Sequence, residues 1–300
     1  MQTELVKVCP VCNGTSFKNE IQCEDYTYSH QQFTIQQCMT CQLLLTNPRP
    51  DQNTIGDYYK SEEYISHTGK TNTLFDWIYL KARRYTVQWK YNLINSRKEK
   101  GAILDYGCGT GAFIHHMAKK NWEAVGIEPS DTARTRAKQL PAKKTLLLYK
   151  KLRDIPEKKF DVITLWHVLE HIPNPDQLIG SLKQKLNKNG LIFVAVPNHE
   201  SHDAQHYRNH WAAYDVPRHF WHFSQSNIRK LFDHNKLNLK EVLPMELDAY
   251  YVSLLSEKYK NKGTHNLVTP IKALLTGYRS NAKAKKTSNY SSLIYIAGHA

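Results

Sequence analysis

The sequence predicts an α/β fold in which a doubly wound sheet is preceded by a small cysteine-rich module. From Gly101 onward, apolar segments of strand length alternate with amphipathic segments of helix length, the pattern of a parallel sheet covered by helices. Four of the six cysteines stand in two C-x2-C pairs near the N-terminus. With 41% hydrophobic and 23% charged residues, the 300-residue chain can bury an ordinary core. We therefore expect a Rossmann-like, seven-stranded sheet in residues 100–300 and a separate module in residues 1–50.

The expected elements follow the chain in an order that suits such a sheet. Residues 51–99 predict a helical linker or lid, because one face collects apolar residues at near 3.6 spacing: Phe75, Ile78, Tyr79, Ala82, Trp89 and Leu93. Strands are expected at residues 102–106, 123–128, 145–149, 160–166, 191–196 and 291–297. Helices are expected at residues 111–119, 130–139 and 224–234, with another running from Pro175 to a stop at Gly190.

Composition and the course of the chain exclude some classes of protein. No apolar run approaches the roughly 18 residues that a transmembrane helix needs. The first residues do not combine a basic start with an apolar stretch, so no secretory signal is expected. We expect a soluble, cytoplasmic protein, and in that reducing compartment paired cysteines favour metal binding over disulfides.

Positive charge is concentrated towards the C-terminus. The net charge is +14, and no acidic residue follows Glu257. The same stretch contains Lys258, Lys260, Lys262, Lys272, Arg279, Lys283, Lys285 and Lys286. Such a stretch is either a solvated surface that keeps the protein soluble or a surface for nucleic acid, anionic lipid or a phosphorylated substrate.

The most informative segment runs from Asp105 to Gly111, where a strand ends, glycines alternate with other residues, and a helix begins. Gly107, Gly109 and Gly111 permit positive φ angles and let a ligand approach the backbone, and the helix start offers unpaired N–H groups. Glu128 ends the next expected strand, where a carboxylate can accept hydrogen bonds from both hydroxyls of a ribose. Together these residues predict a nucleoside-bearing cofactor at the carboxyl edge of the sheet.

Two classes of cofactor fit the glycines. With Ala112, they also satisfy the G-x-G-x-x-A pattern of dinucleotide-binding enzymes, so a dehydrogenase is a rival interpretation. Asp105 stands two residues before the first glycine, where a carboxylate sits poorly beside a pyrophosphate. A cationic cofactor that carries an amino acid suits this position better, and Asp105 therefore joins the expected cofactor-binding residues.

These motifs resemble those of class I S-adenosylmethionine-dependent methyltransferases. The resemblance covers residues 100–235 and rests on the glycine loop, on Glu128, on FDVITLWHVLEH at residues 160–171 and on GLIFVAVP at residues 190–197. It implies that the three glycines approach the amino acid portion of S-adenosylmethionine and that Glu128 holds its ribose. It also implies that Trp166 and His167 border the cofactor pocket.

Adenine recognition departs from the pattern of that family. Many members hold the adenine amino group with an acidic residue just after the third strand. This chain has Tyr149-Lys150-Lys151 there, so we expect backbone groups to recognise adenine.

The two cysteine pairs predict a structural zinc site. Cys9 and Cys12 form one knuckle and Cys38 and Cys41 the other, and two such knuckles complete a closed, tetrahedral four-sulfur site. A module this short needs such a metal to fold. Cys23 is unpaired by spacing, and we expect it to be an ordinary thiol.

The cysteine module also resembles a known one. The ribbon, its Asn47-Pro48-Arg49-Pro50 tail and the following Asp57-Tyr58-Tyr59 resemble the N-terminal zinc-binding module of a methyltransferase subgroup. That subgroup includes enzymes acting on nucleotide-linked sugars and cell-surface glycan precursors. The resemblance implies a related acceptor but identifies no particular one.

Histidines in two segments are candidates for a catalytic base, because methyl transfer to oxygen or carbon requires removal of a proton near neutral pH. The first choice is His219 or His222, in the aromatic stretch after the fifth expected strand, and His167 after the fourth strand follows. For any single one of them, a histidine hydrogen-bonded within a crowded aromatic loop is the more common case than a catalytic base. Arg218 either clamps an anionic group of the acceptor or pairs with Asp215.

The functional hypothesis is methyl transfer to a small molecule, with a saccharide, nucleotide-linked sugar or surface-glycan precursor ahead of a quinone-type phenol. An RNA methyltransferase is the alternative that the basic C-terminal stretch and the ribbon suggest. The Asn- or Asp-Pro-Pro-aromatic motif of base-modifying enzymes is missing, and Val196-Pro197-Asn198-His199 stands at the comparable position. A non-catalytic partner protein is a third class, which the intact cofactor motifs disfavour.

Overall fold

The computed structural model describes residues 2–59, 74–140, 146–261 and 268–300. The strands are β1 (Thr3–Glu4), β2 (Phe17–Glu24), β3 (Gln32–Cys38), β4 (Leu44–Thr46), β5 (Arg49–Pro50), β6 (Ala102–Tyr106), β7 (Glu123–Ile127), β8 (Leu146–Tyr149), β9 (Phe160–Trp166), β10 (Leu186–Pro197), β11 (Trp221–His222), β12 (Leu237–Pro244) and β13 (Ser292–His299). The α-helices are α1 (Leu74–Asn95), α2 (Ala112–Lys119), α3 (Asp131–Gln139), α4 (Pro175–Gln184), α5 (His202–Tyr207), α6 (Gln225–His234), α7 (Glu246–Lys260) and α8 (Val268–Thr287).

The central sheet has seven strands in the order β12-β13-β10-β9-β6-β7-β8, which confirms the predicted α/β sheet. Strands β6 to β10 run parallel, and β13 is antiparallel to both of its neighbours. After β8 the chain crosses back and adds β9 on the other side of β6. Ligands of such sheets bind where the strand order reverses, outside the carboxyl ends of the two strands. The site is therefore expected beyond Tyr106 and Trp166, the last residues of β6 and β9.

The parallel strands are continuous apolar runs because helices cover both faces of the sheet. Leu104 and Ile163 pack into the hydrophobic cluster on one face, and Ile103 and Val162 pack into the cluster on the other. All four side chains are fully buried. The two-residue alternation of a strand thus supplies both cores from the same segments.

One expected helix ends earlier than predicted. Helix α4 starts at Pro175 as expected but stops at Gln184, and β10 already begins at Leu186. The prediction that Gly190 ends this helix was wrong. The pairing of β10 with β9 shifts register between Leu186 and Leu191, and a Cβ at Gly190 would lie 2.7 Å from the Leu186 side chain. Gly190 is therefore a bulge glycine within a strand.

The cysteine module shares its sheet with the C-terminal half of the chain. Its four-stranded sheet has the order β11-β4-β3-β2, and β11 comes from the segment that follows β10 by more than twenty residues. Trp221 and His222 pair with Leu45 and Leu44 of β4. The module and the larger sheet are thus held together by main-chain pairing as well as by side-chain packing.

The segment between the two sheets contains a 3₁₀ turn at Ile55–Tyr59 and the helix α1. Trp89 and Leu93 of its expected apolar face pack against the core, whereas Ala82 is exposed. The expected positions Phe75, Ile78 and Tyr79 lie outside the residues whose side chains are described. Among the described residues, none of the helices combines the length and hydropathy required to span a bilayer.

Candidate active site

The glycine loop lies between β6 and α2, and all three of its glycines adopt left-handed backbone conformations. The φ angles are +76° at Gly107, +54° at Gly109 and +82° at Gly111. The Gly109 N–H donates a hydrogen bond to Glu128 Oε2 over 2.9 Å, and the Ser130 N–H donates to the other oxygen over 2.8 Å. Burial raises the pKa of Glu128 above its ordinary value. The structure therefore brings the predicted acid against the predicted loop.

The three glycines differ in what surrounds them. A Cβ at Gly107 would lie 2.5 Å from Val168 Cγ2, and a Cβ at Gly111 would lie 2.9 Å from both the Ala137 and His115 side chains. A Cβ at Gly109 would have no neighbour within 4 Å. Gly107 and Gly111 thus serve close packing of the loop, and the face of Gly109 is open to a ligand.

Asp105 lies beneath this loop and is almost fully buried. The Thr164 hydroxyl donates a 2.7 Å hydrogen bond to Asp105 Oδ1. Burial nevertheless raises the pKa of Asp105 to about 7. Burial also raises the pKa of the Cys108 thiol, which therefore stays protonated and is no nucleophile.

Helix α1 supplies two cations to the loop region that sequence reasoning missed. Arg83 Nη2 donates to the Thr110 hydroxyl over 2.9 Å. The Lys90 ammonium lies over the Trp166 ring, 4.2 Å from its centroid. Burial lowers the pKa of Lys90 to about 8, although the carboxylates of Asp105 and Asp248 oppose this shift. No motif marked these positions, because their role depends on how α1 docks.

Trp166 packs against the helix that follows the glycine loop. Its ring packs edge-on against Phe113 of α2, with centroids 5.7 Å apart. Its indole Nε1 is buried and has no hydrogen-bond partner among the described residues. Buried donors of native proteins are normally paired, so this atom is available to a ligand.

His167 lies between two carboxylates. Its Nε2 is 3.0 Å from Asp248 Oδ2, and its Nδ1 is 3.5 Å from Glu170 Oε1. Burial lowers the pKa of His167, but the nearby carboxylates of Asp248 and Glu170 outweigh burial and raise the pKa to about 9. His167 is thus an imidazolium at neutral pH. Asp248, on α7, is a partner of His167 for which the sequence offered no motif.

Glu170, His171 and His219 form a cluster beside His167, in which Glu170 and His219 are buried and His171 is partly buried. Their potential ligand atoms all lie within 4.8 Å of one another. His219 Nδ1 is 2.8 Å from the Ala213 carbonyl oxygen, and His171 Nδ1 is 3.0 Å from the Arg218 carbonyl oxygen. Burial lowers the pKa of His171 to about 4, so this imidazole is neutral.

The side chains of His222 and Arg218 are both held by contacts with other protein groups. His222 Nε2 lies 3.2 Å from the Thr46 hydroxyl, and burial holds the pKa of His222 well below its ordinary value. Arg218 directs Nε and Nη2 at the two carboxylate oxygens of Asp215, over 2.9 and 2.5 Å. Of the two roles considered for Arg218, pairing with Asp215 is the one that the structure contains.

The four expected zinc ligands converge. Cys9 Sγ lies 3.5 Å from Cys41 Sγ, and Cys12 Sγ lies 3.6 Å from Cys38 Sγ. Four sulfurs about 2.3 Å from one tetrahedral zinc would be about 3.8 Å apart. The residue after each knuckle, Asn13 or Gln42, has a positive φ and donates its N–H to the carbonyl of the first cysteine. The two knuckles thus have equivalent backbones and present a donor set that fits zinc.

The fold and this loop are those of an α/β enzyme that binds a nucleoside-containing cofactor. Comparison with known proteins identifies the family within this class. A family described as methyltransferase domain matches residues 79–242, more than half of the 300 residues, and the chain belongs to this family. The predicted resemblance to methyltransferases is therefore confirmed.

Curated relatives match a shorter region. The ubiquinone biosynthesis O-methyltransferase of Pasteurella multocida (strain Pm70) is 33% identical over 114 residues, 32% of this chain and 46% of that protein. The enzyme of the same name from Actinobacillus pleuropneumoniae serotype 7 (strain AP76) is 33% identical over 122 residues, 37% of this chain and 50% of that protein. The chain thus spans about half the length of the curated relatives it matches.

Solved structures share the fold. Magnesium protoporphyrin IX methyltransferase from Synechocystis PCC 6803, with bound S-adenosylhomocysteine, superposes with a TM-score of 0.54 at 14% identity, covering 83% of this chain and 100% of that one. Coclaurine N-methyltransferase, bound to N-methylheliamine and S-adenosylhomocysteine, superposes with a TM-score of 0.50 at 15% identity, covering 77% and 76%.

Proposed function

We propose that this protein transfers a methyl group from S-adenosylmethionine to an oxygen or carbon atom of a small-molecule acceptor. The observation that carries the proposal is the open face of Gly109, whose amide is joined to the Glu128 carboxylate. The unpartnered Trp166 Nε1 beside the same loop supports a ligand there. S-adenosylmethionine supplies an activated methyl group when it is bound.

The residues around the loop suit the parts of such a cofactor. Glu128 retains acceptor capacity on both carboxylate oxygens for ribose hydroxyls, since each accepts only one backbone N–H. Asp105 is the buried acid nearest to the loop glycines in sequence, and in its ionised form it attracts the cationic amino acid portion. Gly107 and Gly111 keep the loop close to the strands and helices that carry it.

His219 is the proposed base among the three candidates. Its Nδ1 donates to the Ala213 carbonyl, so in the neutral ring the lone pair is on Nε2. Nε2 lies 4.0 Å from Glu170 Oε1 and 3.8 Å from Asp215 Oδ2, and these carboxylates stabilise the imidazolium formed when a proton arrives. His167, already protonated, and His222, buried against Thr46, are positioning residues.

The acceptor is proposed to be a saccharide or a nucleotide-linked sugar, as in the methyltransferase subgroup that the cysteine module resembles. A quinone-type phenol is the second candidate, which the ubiquinone biosynthesis O-methyltransferases among the relatives favour. Both acceptors present a hydroxyl whose proton His219 would take.

Zinc is the proposed occupant of the four-cysteine site, in a structural role. All four ligands come from protein thiols, so no coordination position is left for water or substrate.

Methyl transfer is tested with the full chain, labelled S-adenosylmethionine and a panel of sugar nucleotides and catechols. We expect labelled product with one acceptor class and cofactor binding in calorimetry. In His219→Asn the rate should fall by roughly 10²–10⁴-fold with cofactor affinity unchanged, which is the range for loss of a general base. His206→Asn, at an exposed position of α5, is the control and should retain full activity. Absence of cofactor binding would refute the proposal.

A further inference from the structure

Helix α8 has an inverted arrangement of side chains for a surface helix. Its buried positions are occupied by small or polar residues, Ala273, Thr276, Gly277, Ser280, Asn281 and Ala284. Large apolar side chains on this helix instead face outward. Such a distribution indicates that the outer face, rather than the inner one, has an apolar partner.

The outward apolar residues form one stripe. Ile271 is 58% exposed, Leu274 58%, Leu275 49% and Tyr278 65%. They stand at i, i+3, i+4 and i+7, so they lie on the same side of the helix. Scattered single apolar residues are normal on a protein surface, but a continuous stripe of four marks an interaction site.

The helix cannot rotate to bury this stripe, because its inner face is anchored. The Ser280 hydroxyl donates to buried Asp203 over 2.6 Å, and Asn281 Nδ2 donates to the Glu246 carbonyl over 2.9 Å. A Cβ at Gly277 would lie 2.7 Å from the Tyr250 ring, so α8 packs tightly on α7 at this point. The apolar stripe is therefore a fixed feature of the surface.

Cations share the exposed side of the helix with the stripe, and most of them lie along one flank of it. Lys272, Arg279, Lys283, Lys285 and Lys286 are all exposed residues of α8. No acidic residue follows Glu257 in the sequence, so α8 itself contributes no opposing charge. The stripe and its cations together form what we call the α8 face.

We propose that the α8 face docks the protein on the surface of an anionic lipid bilayer, with the helix lying in the interface. Aliphatic side chains beside lysines and arginines are the composition of interfacial helices, and phosphate headgroups complement the charge. A second copy of the chain is the less favourable occupant, since pairing two such faces would bring their cations together. RNA is also less favourable, because Ile271, Leu274 and Leu275 cannot stack on bases.

The test is sedimentation of the full-length protein with vesicles. We expect binding to phosphatidylcholine vesicles containing phosphatidylglycerol, weaker binding to pure phosphatidylcholine, and loss of binding as salt is raised. Ile271→Gln/Leu274→Gln and, separately, Lys272→Gln/Arg279→Gln should each lower the partition coefficient by roughly tenfold or more.

Leu147→Gln is the matched control, because Leu147 is 49% exposed on the edge strand β8 of the sheet, and it should bind vesicles like the parent chain. All substituted positions are exposed, and unchanged circular dichroism melts verify folding. Absence of vesicle binding, or binding that neither double variant weakens, overturns the proposal. A concentration-dependent dimer that the apolar variant abolishes, or salt-sensitive RNA binding without vesicle binding, also overturns it and assigns the face to that partner.

Discussion

The glycine loop and the histidine cluster lie at the same edge of the sheet, beyond the adjacent strands β6 and β9, but the chain assembles them differently. The loop is built from one continuous stretch, in which the amide of Gly109 meets the carboxylate of Glu128 only 19 residues later. The histidine cluster depends on residues from distant parts of the chain, as in the contact of the Tyr59 hydroxyl with His171 Nδ1, 112 residues apart. The loop therefore depends on local backbone geometry, whereas the cluster depends on tertiary assembly.

The cysteine module is part of that assembly. The Thr46 hydroxyl donates to the His219 carbonyl over 2.7 Å, and the Thr46 N–H donates to the Phe220 carbonyl. Asn227, at the start of α6, donates to the Cys41 carbonyl over 2.9 Å. The module thus holds the segment that contains His219 and His222. In this way the small N-terminal ribbon positions the proposed base.

The largest expected effect follows from removing the metal site. Cys38→Ser/Cys41→Ser, or a strong chelator, should lower the free energy of unfolding by several kcal/mol and Tm by about 10 °C or more, because structural zinc contributes folding energy directly. Methyl transfer should be lost, while the glycine loop should be affected less. Differential scanning calorimetry and metal analysis provide the measurements.

Cys23→Ala is the control for this comparison, since Cys23 is equally buried but lies outside the four-cysteine site. This substitution should lower the free energy of unfolding by about 1 kcal/mol, as expected when a small buried side chain is shortened. An unchanged Tm after verified metal removal would contradict the proposed support of the cluster by the module.

The second prediction is that substitutions of two glycines in the loop have different effects. Gly109→Ala should reduce affinity for S-adenosylmethionine by roughly a hundredfold, since its Cβ enters the open face, at a stability cost of about 1 kcal/mol for the left-handed backbone. Gly111→Ala should instead lower the free energy of unfolding by about 3 kcal/mol, because its Cβ meets Ala137 and His115. Calorimetric titration and urea unfolding measure the two quantities. Equal effects of both substitutions on affinity would show that the open face is not the ligand face.

The same contrast explains what the sequence could predict. The strand, the glycines, the helix start and Glu128 follow one another in a pattern that local conformation alone explains, so the loop was predictable. Lys90 and Asp248 have no such signal, because their importance arises only when α1 and α7 dock beside Trp166 and His167. The Gly190 error has the same origin: a helix stop and a strand bulge both require glycine, and only pairing with β9 distinguishes them.

Histidine roles were the least predictable part of the site. His167, His219 and His222 look alike in the sequence, and their neighbours from other elements set them apart. Two carboxylates keep His167 protonated, and the Ala213 carbonyl orients the His219 ring. The Thr46 hydroxyl contacts the His222 ring. The assignment of a base from sequence alone therefore had no physical basis for choosing among them.

A third effect concerns the buried acid of the loop. Because the pKa of Asp105 is about 7, its carboxyl is mostly neutral at pH 6 and attracts a cationic cofactor weakly. Affinity for S-adenosylmethionine should rise by up to about tenfold per pH unit towards pH 7 and then level off. Asp105→Asn should bind weakly with little pH dependence over this range. Calorimetry in buffers of matched ionic strength tests this, and identical pH profiles for both proteins would exclude Asp105 from the cofactor site.

The smallest effect tests the charge of His167. A histidine whose pKa rises from 6.5 in the unfolded chain to about 9 in the fold stabilises the protein fully below about pH 6.5, and this contribution is lost as pH rises through 9. We expect about 1 kcal/mol, because a third of the side chain remains open to solvent screening. Urea unfolding gives the free energy of unfolding of the parent chain and of His167→Gln, each measured below pH 6.5 and above pH 9. The change with pH is then compared between the two proteins, so that the titration of nearby Lys90, which both contain, cancels. Asp248→Asn should remove most of the same increment, since it deletes the closer of the two carboxylates, whereas His234→Gln on the surface of α6 should leave it intact.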